Sequence, residues 1–420
     1  MGAPARALIA LVAGLAAGSA IAALDSAALR SVVAFLEPLG TLWVNAVRMT
    51  IVPLVVSLLL VSIASGTTMR ELGRLGGLAI LFFLIILAGT GLLTALLAPP
   101  MLAPMRIDPA AAESLRASAA SGAAAVGESV RSLPTPRDWL LQLVPVNPIR
   151  AAADGAMLPL IVFTIALGVA LSRTTASVRD SFVVVMRAIS QAMLIIVGWL
   201  FIVAPIGVFA LGLSVATKLG LAAAGAIGHY ILVFSALMII VMLAMYPIAA
   251  LIGRVSPRRF AAAALPAQVI AFSSRSSSVA LPAMITAARE RLGFPPVVVD
   301  FVLPFAVTLF RVSVPVSMPL GALFLGKLYG IPIDPGQLFA LVATSVLLSF
   351  SVPPIPSGSL FLIAPVLAGA GIPAEGVGIL IAADAIPDLF KTTAIVTSHM
   401  TAAIVVGRAT DSVAAPPPAG

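Results

Sequence analysis

Residues 380–406 read LIAADAIPDLFKTTAIVTSHMTAAIVV, an apolar stretch of membrane length that nevertheless carries Asp384, Asp388, Lys391, Thr392 and His399. Wound at about 100° per residue, these five positions fall within an arc of about 100°. A polar stripe on a greasy rod has to face protein or water, because a charge pointed at lipid costs roughly 3 kcal/mol or more. The stretch predicts a membrane helix turned inward onto a polar site.

The composition supports that environment. Of 420 residues, 61% are hydrophobic and 10% charged, with a mean hydropathy of +1.16, whereas soluble domains carry about 25% charged residues. This describes an all-α, polytopic membrane protein rather than a soluble core helix with a salt-bridged edge. The formal charge of +8 does not point to nucleic acid, because the basic residues are scattered singly between apolar spans. The absence of Cys excludes disulfides and thiolate chemistry, and His229 and His399 alone make no His-rich metal site. No metal or cofactor is expected. The amino-terminal apolar run after Arg6 is longer than a signal-peptide core and is followed by another span, so it predicts a retained first helix. Gly2 has no Ser or Thr at position 6, which argues against myristoylation.

Apolar spans fall at about 7–24, 39–65, 77–104, 139–172, 182–216, 222–252, 296–326 and 376–407, predicting eight transmembrane helices. Two further apolar stretches, about 257–291 and 334–372, are interrupted near their middles, at Ser273–Ser278 and at Ser351–Ser359 with Pro353, Pro354 and Pro356. Proline removes backbone donors, and irregular backbone survives at membrane depth only where protein or a watery cavity satisfies it. Both stretches therefore predict re-entrant helical hairpins. With the amino terminus inside, Arg6, Arg70, Arg74, Arg173, Arg179, Arg187, Arg254, Arg258, Arg259, Arg289, Arg291 and Arg408 fall on one side, against Arg30, Lys218 and Lys327 on the other. Both termini are expected in the cytoplasm of a cell inner-membrane protein. Residues 105–138 read as an external loop, and the tail 409–420, with Pro416–Pro418, as disordered.

The second half also repeats. The interruption near Ser276 precedes Arg311 by 35 residues, and the one near Ile355 precedes Lys391 by 36. Entry of the two hairpins from opposite sides makes the repeats inverted, a pattern that marks the substrate site of secondary transporters.

Five stretches carry a resemblance to a known family: Pro38-Leu39-Gly40 with Arg48-Met49 and Pro53; Asn147-Pro148 with Leu158-Pro159; Ala204–Leu211; Arg275–Ser278 with Leu281-Pro282; and Asp384–Asp388. Together they resemble the dicarboxylate/amino acid:cation symporter family. The resemblance implies a homotrimeric, elevator-type transporter in the lipid bilayer. Scaffold helices 1–2 lie at 1–76, transport-domain helix 3 at 77–104, scaffold and trimerisation helices 4–5 at 139–217, and the remaining transport domain at 218–408.

For the site, it implies that Ser276, Ser277 and Ser278 cradle a substrate carboxylate, that Asp388 holds an amino group with Arg275 as its ionic neighbour, and that Ser351 and Pro356 contribute from the second hairpin. Asp384 belongs to the same polar site. Lys391 stands where acidic-substrate members have an arginine, keeping the charge but losing the bidentate fork, and Thr392 keeps the adjacent hydroxyl. The cation sites depart from the family: Phe310-Arg311-Val312-Ser313-Val314 replaces Asn-Met-Asp-Gly-Thr, and Ile395 and His399 replace two oxygen ligands. Hard cations need several oxygens, so sodium coupling is not expected. Arg311, as a tethered cation, and His399, as a proton or cation surrogate, become the coupling candidates.

The residues thus favour a sodium-independent carrier, proton-coupled or uncoupled, for a small anionic solute such as aspartate, glutamate or a C4-dicarboxylate. A degenerate member acting as an anion-conducting pore, sensor or structural subunit is the alternative. Neither Ser357 nor the aspartates have a nucleophile-and-base or paired-acid setting, so an enzyme is not expected.

Overall fold

The computed structural model describes residues 3–24, 27–64, 69–105, 143–154, 156–219, 226–352, 376–384 and 386–410, with isolated positions between them. Every regular element among these is helical. In chain order they are α1 (Ala3–Leu24), α2 (Ala27–Ala64), α3 (Met69–Leu102), α4 (Pro148–Ala153), α5 (Met157–Ser172), α6 (Ala176–Leu219) and α7 (Ala226–Leu251). They continue as α8 (Pro257–Ser274), α9 (Ser277–Glu290), α10 (Pro296–Leu309), α11 (Val314–Tyr329), α12 (Pro335–Leu348) with a 3₁₀ turn at Ser349–Ser351, α13 (Val377–Ala383) and α14 (Pro387–Ala409). Most of the external loop at 105–138, the prolines Pro353, Pro354 and Pro356, and the tail from 411 lie outside the described residues.

By length and apolarity six helical stretches are able to cross a bilayer: Ser31–Ala64, Arg70–Leu102, Ala176–Leu200, Ala226–Leu251, Pro296–Tyr329 and Pro387–Ala409. Met157–Ser172, Ile202–Leu211 and Pro335–Leu348 are shorter apolar helices. The stretch around 139–172 is not one span. Asn147 caps α4 by accepting from the Ile149 and Arg150 amides at 2.9 and 3.0 Å, Pro148 needs no donor at the first position, and the chain leaves the helix at Asp154 before α5 begins.

The helices form two packed groups. α1, α2, α5 and α6 pack on one another, while α3 and α7 through α14 build a second body around α14, which packs on α7, α8, α10, α3 and α9. α14 is buried along almost its whole length, as are α10 and α11. The inward-facing polar helix expected from the sequence is thus the axis of the second body. The first body instead exposes apolar side chains such as Val184, Ile195, Trp199 and Ile206, all on α6.

Three breaks in the second body position the polar groups. The first, between α8 and α9, falls within the serine run as expected. Arg275 is left-handed, with φ 52° and ψ 33°, and extended Ser276 caps α9 through the Val279 amide at 3.4 Å. A left-handed non-glycine costs about 1 kcal/mol or more and persists only where its surroundings enforce it. The α8 and α9 arms pack on each other.

The other two breaks correct the expectation of continuous helices at 296–326 and 376–407. At Phe310–Ser313 the chain turns out of α10, and Val314 donates to the Arg311 carbonyl at 3.1 Å rather than to that of Phe310. Pro315 has no N–H for a further α-helical bond. At Asp384–Ile386, α13 ends because Pro387 has no N–H for the Ala383 carbonyl. Asp384 therefore sits at the end of one helix, with Asp388 and Lys391 in the first turns of the next.

Candidate functional site

The first polar cluster is built on the α13–α14 break. Lys391 Nζ lies 2.6 Å from Asp384 Oδ2 and 3.1 Å from Asp388 Oδ1, with all three side chains buried. Asp388 and Lys391 meet because residues three apart share a helix face. Asp384 joins them because it lies one turn before Asp388, whose amide donates to the Asp384 carbonyl at 2.9 Å, so the i, i+4, i+7 face continues across the break. The Lys391 ammonium also lies 5.7 Å from the centroid of the Phe234 ring, within cation–π range. Thr392 donates to the Asp388 carbonyl at 2.8 Å, so its proton is used within its own helix. Asp388 Oδ2 is buried and meets no hydrogen-bond donor.

The expected ionic pair of Arg275 with Asp388 is not formed: among the described residues Asp388 pairs with Lys391. Lys391 is three residues away on a rigid helix, whereas Arg275 is half-buried at a left-handed turn on a different element. Ser351 ends the 3₁₀ turn after α12, and Pro356 lies outside the described residues.

The second cluster is built on the α10–α11 break. Arg311 is 5% exposed. Its Nη2 donates to the Val307 carbonyl at 2.6 Å, its Nη1 donates to Ser277 Oγ at 2.9 Å, and its Nε meets no acceptor. It makes no ion pair with Asp384, the acid the sequence offered as its partner, or with any other described carboxylate. His399 Nε2 lies 2.8 Å from the Phe310 carbonyl, and an oxygen acceptor there fixes Nε2 as the protonated nitrogen. Its Nδ1 is buried without a partner. The last carbonyls of a helix lack intrahelical donors, and here Arg311 and His399 supply them. Phe83 stacks on Phe310 at 4.4 Å and backs the break from α3.

Of the three serines expected to cradle a carboxylate, Ser276 caps α9, Ser277 takes the Arg311 bond and Ser278 is half-buried. The contact of Arg311 with Ser277, 34 residues earlier, was not legible. Nor was the polar link of Gln268 to Thr397 and Tyr246, at 2.9 and 3.2 Å, beneath these clusters. A polar side chain inside an apolar helix was the available signal for each.

The profile of the sodium:dicarboxylate symporter family matches residues 4–409. The chain belongs to this family. It is a membrane transporter and not an enzyme. It is 28% identical over 378 residues to the proton/glutamate-aspartate symporter of Escherichia coli (strain K12), covering 90% of this chain and 86% of that one. It is 29% identical over 380 residues to the proton/sodium-glutamate symport protein of Bacillus subtilis (strain 168), covering 89% and 86%. To the C4-dicarboxylate transport protein of Deinococcus radiodurans it is 24% identical over 385 residues, covering 90% and 84%. At the α10–α11 break the Val307 and Phe310 carbonyls accept from Arg311 and His399, and the side chains of Val312 and Ile395 carry no oxygen.

Proposed function

We propose that this chain is a secondary carrier that takes an acidic amino acid or C4-dicarboxylate across the cell membrane without sodium, coupled to protons. The carrying observation is that the α10–α11 break is already closed by Arg311 and His399. A mobile cation is needed where broken-helix carbonyls lack donors, and two tethered N–H donors remove the need. The printed names of the relatives, a proton/glutamate-aspartate symporter, a proton/sodium-glutamate symport protein and a C4-dicarboxylate transport protein, support the solute class, and the first two name a proton among the coupling ions.

Charge counting supports the proton. The buried cations Lys391 and Arg311 balance the buried carboxylates Asp384 and Asp388, and Asp300 is paired with Arg289. Adding a net-negative solute to a balanced, low-dielectric site leaves a charge uncompensated, which a proton taken up with it offsets. Asp388 Oδ2, buried without a donor on the carboxylate whose Oδ1 meets Lys391, is the atom we assign to that proton. His399 serves as the cation stand-in at the Phe310 carbonyl.

The eight-span, two-hairpin architecture with inverted repeats and a homotrimeric assembly belongs to the same proposal. α1, α2, α5 and α6 act as scaffold, and α3 with α7–α14 as the body that moves in an elevator cycle. The dense packing of α2 on α6 and of α1 on α6, and of the second body around α14, supports this division, with α2, α1, α5 and α6 touching α8, α9 and α10 along the boundary. The α8–α9 hairpin enters from the cytoplasm, and both termini lie there.

In proteoliposomes, labelled aspartate, glutamate and succinate are expected to accumulate under an inward proton gradient with choline replacing sodium. Accumulation that requires a sodium gradient would overturn the coupling. Conductance proportional to anion concentration, without saturable uptake, would replace the carrier by an anion-conducting pore. Two variants separate the roles of the polar groups. Asp388→Asn is expected to abolish proton-driven accumulation while solute exchange continues. His399→Gln, which keeps an N–H donor for Phe310, is expected to retain both uptake and its pH profile. A shifted profile in His399→Gln would move the proton site to His399.

A further inference from the structure

Beyond the solute class just proposed, on which this inference rests, we propose that Arg311 with the amino-terminal end of α9 is the carboxylate-gripping subsite, and that Lys391 is not. Lys391 is engaged by two carboxylates at 2.6 and 3.1 Å, so its cluster carries net negative charge and repels an incoming carboxylate. Arg311 has the opposite surroundings. It is buried, and among the described residues no carboxylate lies within ion-pair distance.

A buried cation without a counter-ion is costly, and an anion bound beside it relieves that cost. The guanidinium has donors to spare. Five N–H groups serve two acceptors, the Val307 carbonyl and Ser277 Oγ, and the Nε–H meets none. Nε–H and a neighbouring Nη–H form the parallel pair that fits a carboxylate bidentately. The Nη1 contact with Ser277 Oγ, on another edge of the guanidinium, places the group beside the first turn of the 14-residue helix α9, whose leading amides lack intrahelical partners and whose dipole favours an anion. Ser276, spent on the Val279 amide, stiffens the turn. The unpartnered Nε–H of a buried arginine points to a ligand, and the helix terminus alone would not.

The consequence is a site with two poles on different elements, a cationic one at Arg311 and an anionic one at Asp388. It selects for a carboxylate at the first, and Lys391 tunes the second.

The test measures binding of aspartate and succinate to the full chain in detergent, with asparagine and succinamate as amide competitors, in wild type, Arg311→Gln and Arg311→Lys. Two charge-assisted hydrogen bonds predict a loss of about 100-fold in affinity for Arg311→Gln. The carboxylate-over-amide preference should also collapse toward one, which a purely structural role would leave unchanged. Arg311→Lys keeps the charge but not the fork, so it should lose about 10-fold while keeping the preference. It supplies the readout if Arg311→Gln fails to fold. Wild-type affinity in Arg311→Lys, or an intact preference in a folded Arg311→Gln, overturns the subsite while leaving the carrier reading in place. A wild type that binds none of the acids overturns both.

Discussion

Lys391→Met is expected to cost about 3–5 kcal/mol of stability and to reduce uptake to background. Lys391 is 2% exposed and sits between two carboxylates that are also buried. Removing one partner of a buried ionic cluster costs this much because the remaining charges lose the ion that made their burial tolerable. Methionine approximates the lysine stem in volume, so the packing against Phe234 survives and the loss reports the charge. Thermal unfolding of the purified protein in detergent should show a fall of roughly 5–15 °C. Asp384→Asn introduced with Lys391→Met removes one of the stranded charges and should recover a large part of the stability. It should not recover transport, because the anionic pole no longer has a cation to tune it. If Lys391→Met melts as the wild type does, the triad contributes nothing to the fold and its carboxylates are not held as ions.

Reading the sequence located this triad without foreseeing its geometry. The polar stripe at 384–399 was legible because side-chain period and apolar background are local properties. The break after Asp384 was not read, although Pro387 was its signal, because periodicity alone ran the helix through it. The serine interruption near Ser276 was equally legible, since Ser-rich and Pro-rich runs disfavour continuous helix wherever they occur. Arg275 was expected beside Asp388, and its left-handed backbone at the α8–α9 turn is a feature no sequence period records. The Arg311–Ser277 and His399–Phe310 contacts span 34 and 89 residues. Such links are set by how helices stack, and the sequence showed only that Arg311 and His399 stood in apolar helices and had to be satisfied somewhere. Phe310 illustrates the limit most clearly, because it contributes through a backbone carbonyl that its side chain does not announce.

The contact of α2 with α6 yields the other large effect, through a glycine. Gly207→Ala is expected to destabilise the protein by about 2–4 kcal/mol, combining overpacking with the strain on one buried hydrogen bond. A methyl group at Gly207, on α6, would lie 2.5 Å from Trp43 Cγ and 2.6 Å from Trp43 Cβ and Cδ2, on α2. Real side chains do not approach so closely, so Trp43 or the helix pair has to move. Trp43 is not free to swing. It is 5% exposed, and its indole N–H donates to the Leu200 carbonyl at 3.1 Å, pinning the ring across the α2–α6 contact. Gly198 on the same helix is the control, because a methyl there meets nothing within 4 Å. Gly198→Ala should be neutral, or stabilising by up to about 1 kcal/mol through helix propensity. Thermal unfolding of the two variants side by side separates the effects of adding one methyl to one helix. A Gly207→Ala protein as stable as Gly198→Ala would mean that α2 and α6 are not locked at Trp43. A lower melting temperature with unchanged affinity for the solute in the surviving protein would assign Gly207 to holding the α2–α6 contact, with no part in forming the site.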